Sequence, residues 1–317
     1  MIVKEVHVRV AVYGTGGVGG YFGGRLALAG ADVHLIARGP HLRALRKSGL
    51  RVRSTKGDFE IDLPASEEPS DIGPCDYVLF SVKSFDTEEA ANRLGPLIED
   101  KTAVVSFQNG VDNEEKIAGV LGPNHVMGGA AYIFSGIAEP GVIAHTGGPA
   151  RIVFGEMDGS DSERARRFLE ACREAGIDAE LSGDIRSVLW DKFAFICAQA
   201  GMTAAVRLPI GAIRAVEESW VAFKRVVDEV RAVAAAEGVE LPADVAERHA
   251  RFAENLEPTG YSSLYDDLTS GRRMELEALH GTIVHRARRH DIPAPVSEAI
   301  YAILRPWAKR NDANASS

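Results

Sequence analysis

A strand-like apolar run leads directly into a glycine-rich loop in residues 8–19, Val-Arg-Val-Ala-Val-Tyr-Gly-Thr-Gly-Gly-Val-Gly. The glycines at positions 14, 16 and 19 have the spacing of a dinucleotide-binding turn. In such a turn the first glycine permits a tight bend, the second lets the backbone approach a pyrophosphate, and the third lets the next helix pack on the strand. We therefore predict a helix over about 17–30 whose N-terminal amides point at phosphates. The predicted cofactor-binding residues are Gly14, Thr15, Gly16, Gly17, Val18 and Gly19.

The end of the second predicted strand carries a cation where a carboxylate would bind the ribose of NAD(H). This strand covers residues 32–37, and Arg38 follows it about twenty residues after the glycine loop. An arginine at this place suits a 2′-phosphate, so the sequence predicts NADP(H) rather than NAD(H) as the cofactor. The glycine motif alone is a weak signal, since glycine makes up 32 of the 317 residues. Arg38 at this distance from the loop makes the assignment more specific.

Composition and charge exclude several classes of protein. A chain of 317 residues is long enough for about two domains. The net charge of −9 argues against nucleic acid and against an anionic membrane surface as partners. Cys75, Cys172 and Cys197 lie far apart and, like the histidines, show no metal-ligand spacing. We therefore expect a reduced protein with neither a metal site nor a disulfide.

No segment of the sequence is predicted to span a membrane or to direct secretion. Charged residues interrupt the apolar N-terminus at Lys4 and Glu5, which predicts a strand rather than a signal peptide. The most apolar helix candidate, near 186–206, contains Asp191 and Lys192 and is too polar at its centre to cross a bilayer. We expect a cytoplasmic protein.

The pattern of the chain changes near its middle. The first half alternates short apolar strands with helical segments, as a parallel sheet requires. From about residue 184 long helical periods follow, with candidate helices at 185–206, 210–237, 242–255, 274–290 and 295–308. We predict an α/β fold with a Rossmann-type, NADP(H)-binding sheet domain at 1–183 and an all-helical substrate and catalytic domain at 184–317. The tail, 311–317, is predicted to be disordered.

Two further strands are predicted to end in polar residues. Lys83 follows the strand at 76–82, and Asn109 closely follows the strand at 102–107. Ligands of open parallel sheets bind beyond the carboxyl ends of the strands, so the glycine loop, Lys83 and Asn109 together indicate a binding site. Each of the two polar residues taken alone could equally begin a solvated loop.

Lys192 stands out in the second half because its predicted helix is apolar on nearly every side, which is typical of a buried helix. Buried lysines are paired or have a lowered pKa, which suits them to proton transfer near neutral pH. The alternative is a surface pair between Lys192 and its neighbour Asp191. Glu275, at the start of an apolar-faced helix, either positions Lys192 or is a surface carboxylate matched to the helix dipole.

The chain resembles the ketopantoate reductases (2-dehydropantoate 2-reductases) nearly from end to end. The glycine loop is shared with every Rossmann enzyme, whereas the ordered set of residues across the helical half is much more specific. The matching residues are the loop 14–19, Arg38, Ser81-Val82-Lys83, Gln108-Asn109-Gly110, Trp190-Asp191-Lys192-Phe193, Ser262-Ser263, Asp267, Arg272 and Glu275.

This resemblance implies the NADPH-dependent reduction of a 2-oxo acid to its 2-hydroxy acid. Lys192 would be the general acid that protonates the carbonyl oxygen, and Glu275 would hold Lys192 by a charge-assisted hydrogen bond. By the same resemblance, the substrate-binding residues are Asn109, Lys192, Ser263 and Glu275, and the cofactor-binding residues outside the glycine loop are Arg38, Lys83, Asn109 and Ala131.

Three positions depart from the family pattern. Family members usually carry asparagines four and eight residues after the lysine and another in the following turn. Here these positions are Ile196, Ala200 and Ile210. A site built to hydrogen-bond a hydroxyl discriminates by about 10⁴–10⁵-fold, and an apolar pocket loses that discrimination. We therefore predict a 2-oxo acid less polar than ketopantoate, or poor activity on ketopantoate.

Two other functions stay open at this point. A 3-hydroxyacid or sugar-acid dehydrogenase also joins a Rossmann half to a helical half and uses a lysine, but the Ser262-Ser263…Glu275 cluster argues against it. A non-catalytic, NADP(H)-binding regulatory protein would keep Arg38 but need not keep Lys192. The helical half has enough apolar surface for a homodimer, although the sequence identifies no interface. His145 is more typical of a structural histidine than of a catalytic one.

Overall fold

The computed structural model describes residues 8–315, and the chain divides into two compact units. The first unit comprises Met1–Gln108 and Asn113–Ile185, and the second comprises Asn109–Asp112 and Arg186–Ser317. The N-terminal residues on which the signal-peptide prediction rests lie outside the described residues. No helix within 8–315 has both the length and the apolar character that a membrane span requires.

The first unit is built on a single sheet. Its strands are β1 Arg9–Tyr13, β2 Asp32–Ile36, β3 Leu50–Ser54, β4 Phe59–Ile61, β5 Ala65–Ser66, β6 Tyr77–Phe80, β7 Ala103–Ser106, β8 Val126–Glu139, β9 Val142–Glu156 and β10 Asp178–Leu181. They lie in the order β4-β3-β9-β8-β7-β6-β1-β2-β5, with β10 beside β9. Among the described strands, β3–β4 and β8–β9 pair antiparallel and the other neighbours pair in parallel. The predicted α/β sheet domain is confirmed, and its two antiparallel pairs make the sheet mixed rather than wholly parallel.

Helices cover the sheet on both faces. They are α1 Gly17–Leu28, α2 Gly39–Ser48, α3 Thr87–Asn92, α4 Asn113–Leu121 and α5 Glu163–Glu174, with short 3₁₀ turns at Pro69–Asp71, Ser84–Asp86, Gly95–Leu97 and Pro123–His125. Because of this cover, β1 is buried on both sides, as central parallel strands are. Val10 and Val12 pack in one hydrophobic cluster with Phe22, whereas Ala11 and Tyr13 pack in a second cluster on the other face.

The second unit is helical, as predicted. Its helices are α6 Ile185–Val206, α7 Ile210–Arg214, α8 Glu217–Ala236, α9 Val245–Glu254, α10 Ser263–Thr269, α11 Thr282–Arg289 and α12 Pro295–Ala315. A π-helical turn, Glu277–Gly281, leads into α11. The buried carboxylate of Glu229 in α8 accepts hydrogen bonds from the backbone amides of Val296 and Ser297, both at 2.8 Å, and so satisfies the first turn of α12.

Three sequence predictions about helices differ from the structure. The helix predicted at 210–237 is two helices, α7 and α8, because the backbone of Val216 is extended between them. The helix predicted at 274–290 begins later, at the π-helical turn. The prediction of a disordered tail is wrong for 311–315, since α12 runs to Ala315 and the side chain of Asn311 is buried, donating to the carbonyls of Asp267 and Arg272. Residues 316 and 317 lie outside the described part of the chain.

Candidate active site

The glycine loop is tied to the end of β2 by backbone hydrogen bonds. The amides of Gly14 and Thr15 both donate to the carbonyl oxygen of Ile36 at 3.2 Å, and the Thr15 hydroxyl donates to the same oxygen at 3.0 Å. Gly14 adopts φ +96°, a conformation that glycine reaches without strain. Thr15 is therefore a residue that fixes the loop, and its buried side chain is used within the protein.

The three motif glycines meet three different surroundings, as the motif requires. A Cβ at Gly14 would lie 2.8 Å from the backbone of Ser81, and one at Gly19 would lie 2.5 Å from the carbonyl oxygen of Gly14. A Cβ at Gly16 would meet no described protein atom within 4 Å. Gly14 and Gly19 are thus required by the fold, whereas Gly16 leaves open space beside the backbone, where a pyrophosphate would approach.

The N-terminus of α1 follows directly from the glycine loop. Gly16 is the N-cap residue, it makes no side-chain cap, and the first turn of the helix contains no acidic residue. The first-turn amides and the helix dipole together favour an anion at this place. With the open side of Gly16, the loop fits the pyrophosphate of a nicotinamide dinucleotide.

Arg38 stands at the N-cap of α2, directly beyond β2. Its guanidinium is 75% exposed and forms an ion pair with Asp86, at 2.8 Å between Nη2 and Oδ2. The side chain is therefore free to reorient toward solvent or toward a ligand, but in this structure it already has a carboxylate beside it. Sequence reasoning missed Asp86, since no local signal connects it with Arg38, 48 residues earlier in the chain.

The ends of β6 and β7 are joined by Gln108. Its Nε2 donates to the carbonyl oxygen of Val82 at 3.0 Å and to the hydroxyl of Thr87 at 2.8 Å. These bonds fix the segment after β6 that carries Lys83, whose side chain is exposed. Asn109, the next residue after Gln108, is half-buried and belongs to the second unit.

Ala131 lies within β8, opposite Ile152 of β9, and is 6% exposed. It packs in the hydrophobic cluster that contains Phe22 of α1. Its assignment as a cofactor-binding residue stays a prediction, and its structural role is to fill the core behind the helix that follows the glycine loop.

Lys192 lies in the first half of α6 and is half-buried, between the buried Trp190 and Phe193. The neighbouring Asp191 forms an ion pair with Arg248 of α9 and a hydrogen bond with His249. Burial acts to raise the pKa of the Asp191 carboxyl, but the bonds from His249 and Arg248 outweigh burial and lower that pKa below its usual value. Asp191 is thus an ionised anchor between α6 and α9.

Glu275 is buried, at 8% exposure, in the turn before the π-helical turn. This position contradicts the surface alternative that was open for Glu275 in the sequence. The segment that follows it is fastened to α6, because Nε2 of His280 donates to the carbonyl oxygen of Cys197 at 3.0 Å. His280 therefore links the element after Glu275 to the helix that carries Lys192.

The two serines of the matching motif differ in burial and in their hydrogen bonds. The hydroxyl of Ser262 caps α10 by accepting from the amide of Tyr265 and also bonds the hydroxyl of Thr203 in α6 at 2.8 Å. Ser263 is the first residue of α10 and is exposed. Ser262 therefore holds the turn against α6, which leaves Ser263 as the serine that can meet a ligand.

The three residues that depart from the family pattern are all apolar, but they differ in how deeply they are buried. Ala200 is 2% exposed and Ile210 is fully buried, while Ile196 is half-buried. Ile196 and Ala200 follow Lys192 at helical spacings of four and eight, so all three lie on one face of α6. The positions four and eight residues after Lys192 are therefore hydrocarbon, whereas Gln199, seven residues after it on the same face, is polar and buried.

The side chains of Asp267 and His145 are buried and bonded within the protein. The buried carboxylate of Asp267 accepts a hydrogen bond from Arg272 at 2.9 Å, which closes the turn between α10 and Glu275. His145 is buried and its Nδ1 lies 2.8 Å from the hydroxyl of Ser54. Within residues 8–315, no cluster of three or more His, Cys, Asp or Glu side chains is placed to hold a metal ion.

A buried ion-pair network in the second unit was not predicted. Arg286 of α11 forms ion pairs with Asp112 at 2.5 Å and with Glu237 at 2.8 Å, and its guanidinium lies over the ring of Trp190. Thr282 adds a hydrogen bond of 3.0 Å to the same Asp112 carboxylate. The segment Asn109–Asp112 is thereby fixed to α11, which is why it belongs to the helical unit.

Comparison with known proteins gives one consistent family. Residues 10–159 match the family described as ketopantoate reductase PanE/ApbA, and residues 184–308 match its C-terminal counterpart. The chain is 34% identical to a 2-dehydropantoate 2-reductase of Archaeoglobus fulgidus, over 94% of this chain and 97% of the relative. It is 32% identical to an uncharacterised oxidoreductase, YkpB, of Bacillus subtilis, over 95% of this chain and 99% of the relative.

Solved structures show the same likeness. A ketopantoate reductase of the PanE/ApbA family from Ralstonia eutropha JMP134 is 35% identical, with a TM-score of 0.88 and coverage of 96% of this chain and 99% of that one. A D-mandelate dehydrogenase in complex with NADH and anilino(oxo)acetate reaches a TM-score of 0.87 at 21% identity, covering 96% of this chain and 99% of that one. The second likeness shows a shared fold only.

Proposed function

The chain belongs to the ketopantoate reductase family of oxidoreductases acting on CH–OH donors, and on this premise we propose that it reduces a 2-oxo acid with NADPH. The observation that carries the proposal is the glycine loop, where the open side of Gly16 meets the uncapped N-terminus of α1. When bound there, the nicotinamide supplies the hydride. The protein's own residues have to bind the dinucleotide, hold the 2-oxo acid and deliver one proton.

Binding of the dinucleotide is assigned to the first unit. The amides of the loop and of the first turn of α1 receive the pyrophosphate, and Arg38 receives the 2′-phosphate. Lys83, exposed beyond β6, supplies a further cation for anionic groups of the ligands. Asn109 contacts the cofactor and the oxygens of the substrate, which Ser263 also binds.

Lys192 is assigned as the general acid. Its ammonium group donates a proton to the carbonyl oxygen as the carbonyl carbon becomes bonded to hydrogen, so a neutral hydroxyl and a neutral lysine result. Glu275 accepts a hydrogen bond from Lys192 and holds it in place. General acids of this kind contribute about 10²–10⁴-fold in rate.

The Lys192→Ala variant tests this role. We expect kcat to fall by about 10²–10⁴-fold, while the dissociation constant for NADPH, measured by fluorescence quenching, stays unchanged. Lys224→Ala is the matched control, because Lys224 is also a half-buried lysine on a helix of the second unit, α8. Unchanged turnover in Lys192→Ala on every accepted substrate would refute the mechanism.

We propose further that the substrate is less polar than ketopantoate. Ile196 and Ala200, four and eight residues after Lys192, offer no hydrogen bond to a substrate hydroxyl, and Ile210 is buried. NADPH oxidation at 340 nm should therefore be faster with branched or aromatic 2-oxo acids than with ketopantoate.

The Ile196→Asn variant is the converse test, since position 196 is only half-buried and can accept an amide. It should raise kcat/KM for ketopantoate relative to the apolar acids. Faster turnover of ketopantoate by the wild-type protein would refute the altered specificity and leave the reductase assignment intact. No turnover of any acid, with NADPH still bound, would favour the regulatory binding protein.

We also propose a homodimer formed through the helical unit. Apolar side chains lie exposed on this unit at Val206, Leu208, Phe252 and Ile303. Light scattering coupled to size exclusion should give twice the chain mass of 34.0 kDa. A monomer at micromolar concentration would refute it.

A further inference from the structure

We propose that Asp86 is a specificity-determining residue that lowers the preference for NADP(H) over NAD(H), so that the protein accepts both cofactors. The observation is the ion pair between Arg38 and Asp86, at 2.8 Å, within the first unit. The cation assigned to the 2′-phosphate thus has a carboxylate beside it. This inference rests on the proposed binding of a nicotinamide dinucleotide at the glycine loop.

The carboxylate is held more firmly than the arginine. Asp86 is the last residue of the 3₁₀ turn Ser84–Asp86, its amide donates to the carbonyl of Lys83 at 2.9 Å, and its side chain is 17% exposed. The next residue, Thr87, is buried and accepts a hydrogen bond from Gln108. Arg38, by contrast, is 75% exposed. When Arg38 turns to a ligand, Asp86 therefore stays in place and keeps its charge near the guanidinium.

A carboxylate at this place acts against a phosphate. A phosphate that binds the guanidinium of Arg38 while the ion pair with Asp86 persists brings its charge to within about 6 Å of that carboxylate, where the repulsion of a dianion in water costs about tenfold in affinity. A ribose 2′-hydroxyl has the opposite preference, because it can donate a hydrogen bond to a carboxylate. Dinucleotide-binding domains that prefer NAD commonly carry such an acidic residue at the end of the second strand. Here a carboxylate beside that strand end comes from the segment after β6.

A second arginine close to Arg38 also has its positive charge balanced by a carboxylate. Arg93 forms an ion pair with Glu68 at 2.9 Å. The charges of Arg38, Arg93 and Glu68 all act on the hydroxyl of Tyr13, at the end of β1, so the three groups share one neighbourhood. Each of these two arginines therefore has a carboxylate partner, which limits the attraction for a second phosphate.

The experiment measures binding without turnover. Dissociation constants are determined by isothermal titration calorimetry for NADPH, NADH, 2′,5′-ADP and 5′-AMP, with the wild-type protein and with Asp86→Asn. We expect wild-type affinities for NADPH and NADH within about tenfold of each other. Asp86→Asn should tighten 2′,5′-ADP and NADPH about tenfold at low salt, less at high salt, and should weaken NADH.

Two further variants separate charge from structure. Asp86→Glu keeps the charge and should keep the wild-type ratio of affinities. Glu68→Gln removes the carboxylate of the other ion pair, and it should leave NADH binding unchanged. Replacement of Asp86 removes no helix cap, because its side chain makes no capping hydrogen bond to α3.

The possible results are distinct. An unchanged NADPH-to-NADH ratio in Asp86→Asn, or equal weakening of both, would overturn the role of Asp86 and leave the proposed reductase untouched. Strong wild-type selectivity for NADPH would overturn it as well. Failure of the wild-type protein to bind any of the four nucleotides would overturn both this inference and the proposed function.

Discussion

Acidification should destabilise the helical unit through one histidine, His280. Its imidazole is fully buried, and since a carbonyl can only accept, Nε2 carries the proton that bonds Cys197. Its Nδ1 is buried and has no hydrogen-bond partner among the described residues. A Cβ at Gly201 would lie 2.0 Å from Nε2, so the ring packs directly against the backbone of α6.

Burial lowers the pKa of His280 from 6.5 to about 4, although the bond to Cys197 acts in the opposite direction. The unfolded chain therefore binds a proton between these two pH values that the folded protein does not bind. Stability from this group is complete above pH 6.5 and is lost as the pH falls toward 4. Each pKa unit corresponds to about 1.4 kcal/mol, so the loss is about 1 kcal/mol at pH 5.5 and roughly 3 kcal/mol at pH 4.

Urea unfolding followed by tryptophan fluorescence reports on the helical unit, which contains His280. All three tryptophans, Trp190, Trp220 and Trp307, lie in the segment Arg186–Ser317. The free energy of unfolding is determined from pH 8 to pH 5 for the wild-type protein and for His280→Gln, which retains a donor but cannot titrate. His285→Gln is the control, because His285 is exposed on the neighbouring helix α11.

We expect the wild-type protein and His285→Gln to lose stability in parallel below pH 6.5, and His280→Gln to lose about 1 kcal/mol less at pH 5.5. Parallel curves for the wild-type protein and His280→Gln would refute the reasoning. They would mean that the buried imidazole is not the source of the acid sensitivity.

Three further predictions follow from the packing. Gly16→Ala should leave the melting temperature nearly unchanged and weaken NADPH binding. Gly14→Ala should destabilise the first unit by about 1–3 kcal/mol. Equal melting temperatures for the two variants would contradict this prediction. Glu229→Gln should cost about 1–3 kcal/mol, because the amides that start α12 lose a charged acceptor, and calorimetry of the unfolding transition measures it. Asp112→Asn should lower the melting temperature by weakening one of the two ion pairs of buried Arg286, and an unchanged value would show that the pair adds no stability.

The predictable part of the fold is the part encoded locally. The strand before Gly14 and the helix after it follow from an apolar run and glycine spacing within twenty residues, and the structure confirms both. The long apolar helix that carries Lys192 is confirmed for the same reason, because its pattern lies within one segment.

The parts that could not be predicted depend on distant partners. Asn311 looks like a residue of a polar tail, but two backbone carbonyls more than thirty residues away accept from it and keep α12 helical. The π-helical turn before α11 accompanies a contact of His280 with α6 that no periodicity reveals. At the candidate site, Arg38 was visible from its spacing, but the carboxylate of Asp86 beside it was not.

The four residues Asn109–Asp112 make the helical unit discontinuous in the chain. Their contact with Arg286 joins positions 174 residues apart, so it can form only after almost the whole protein has been synthesised. A fragment cut before Arg186 would leave this guanidinium without the Asp112 carboxylate. The segment 186–317 is therefore not a module that recombination could move to another protein intact, since part of its interior is encoded far upstream.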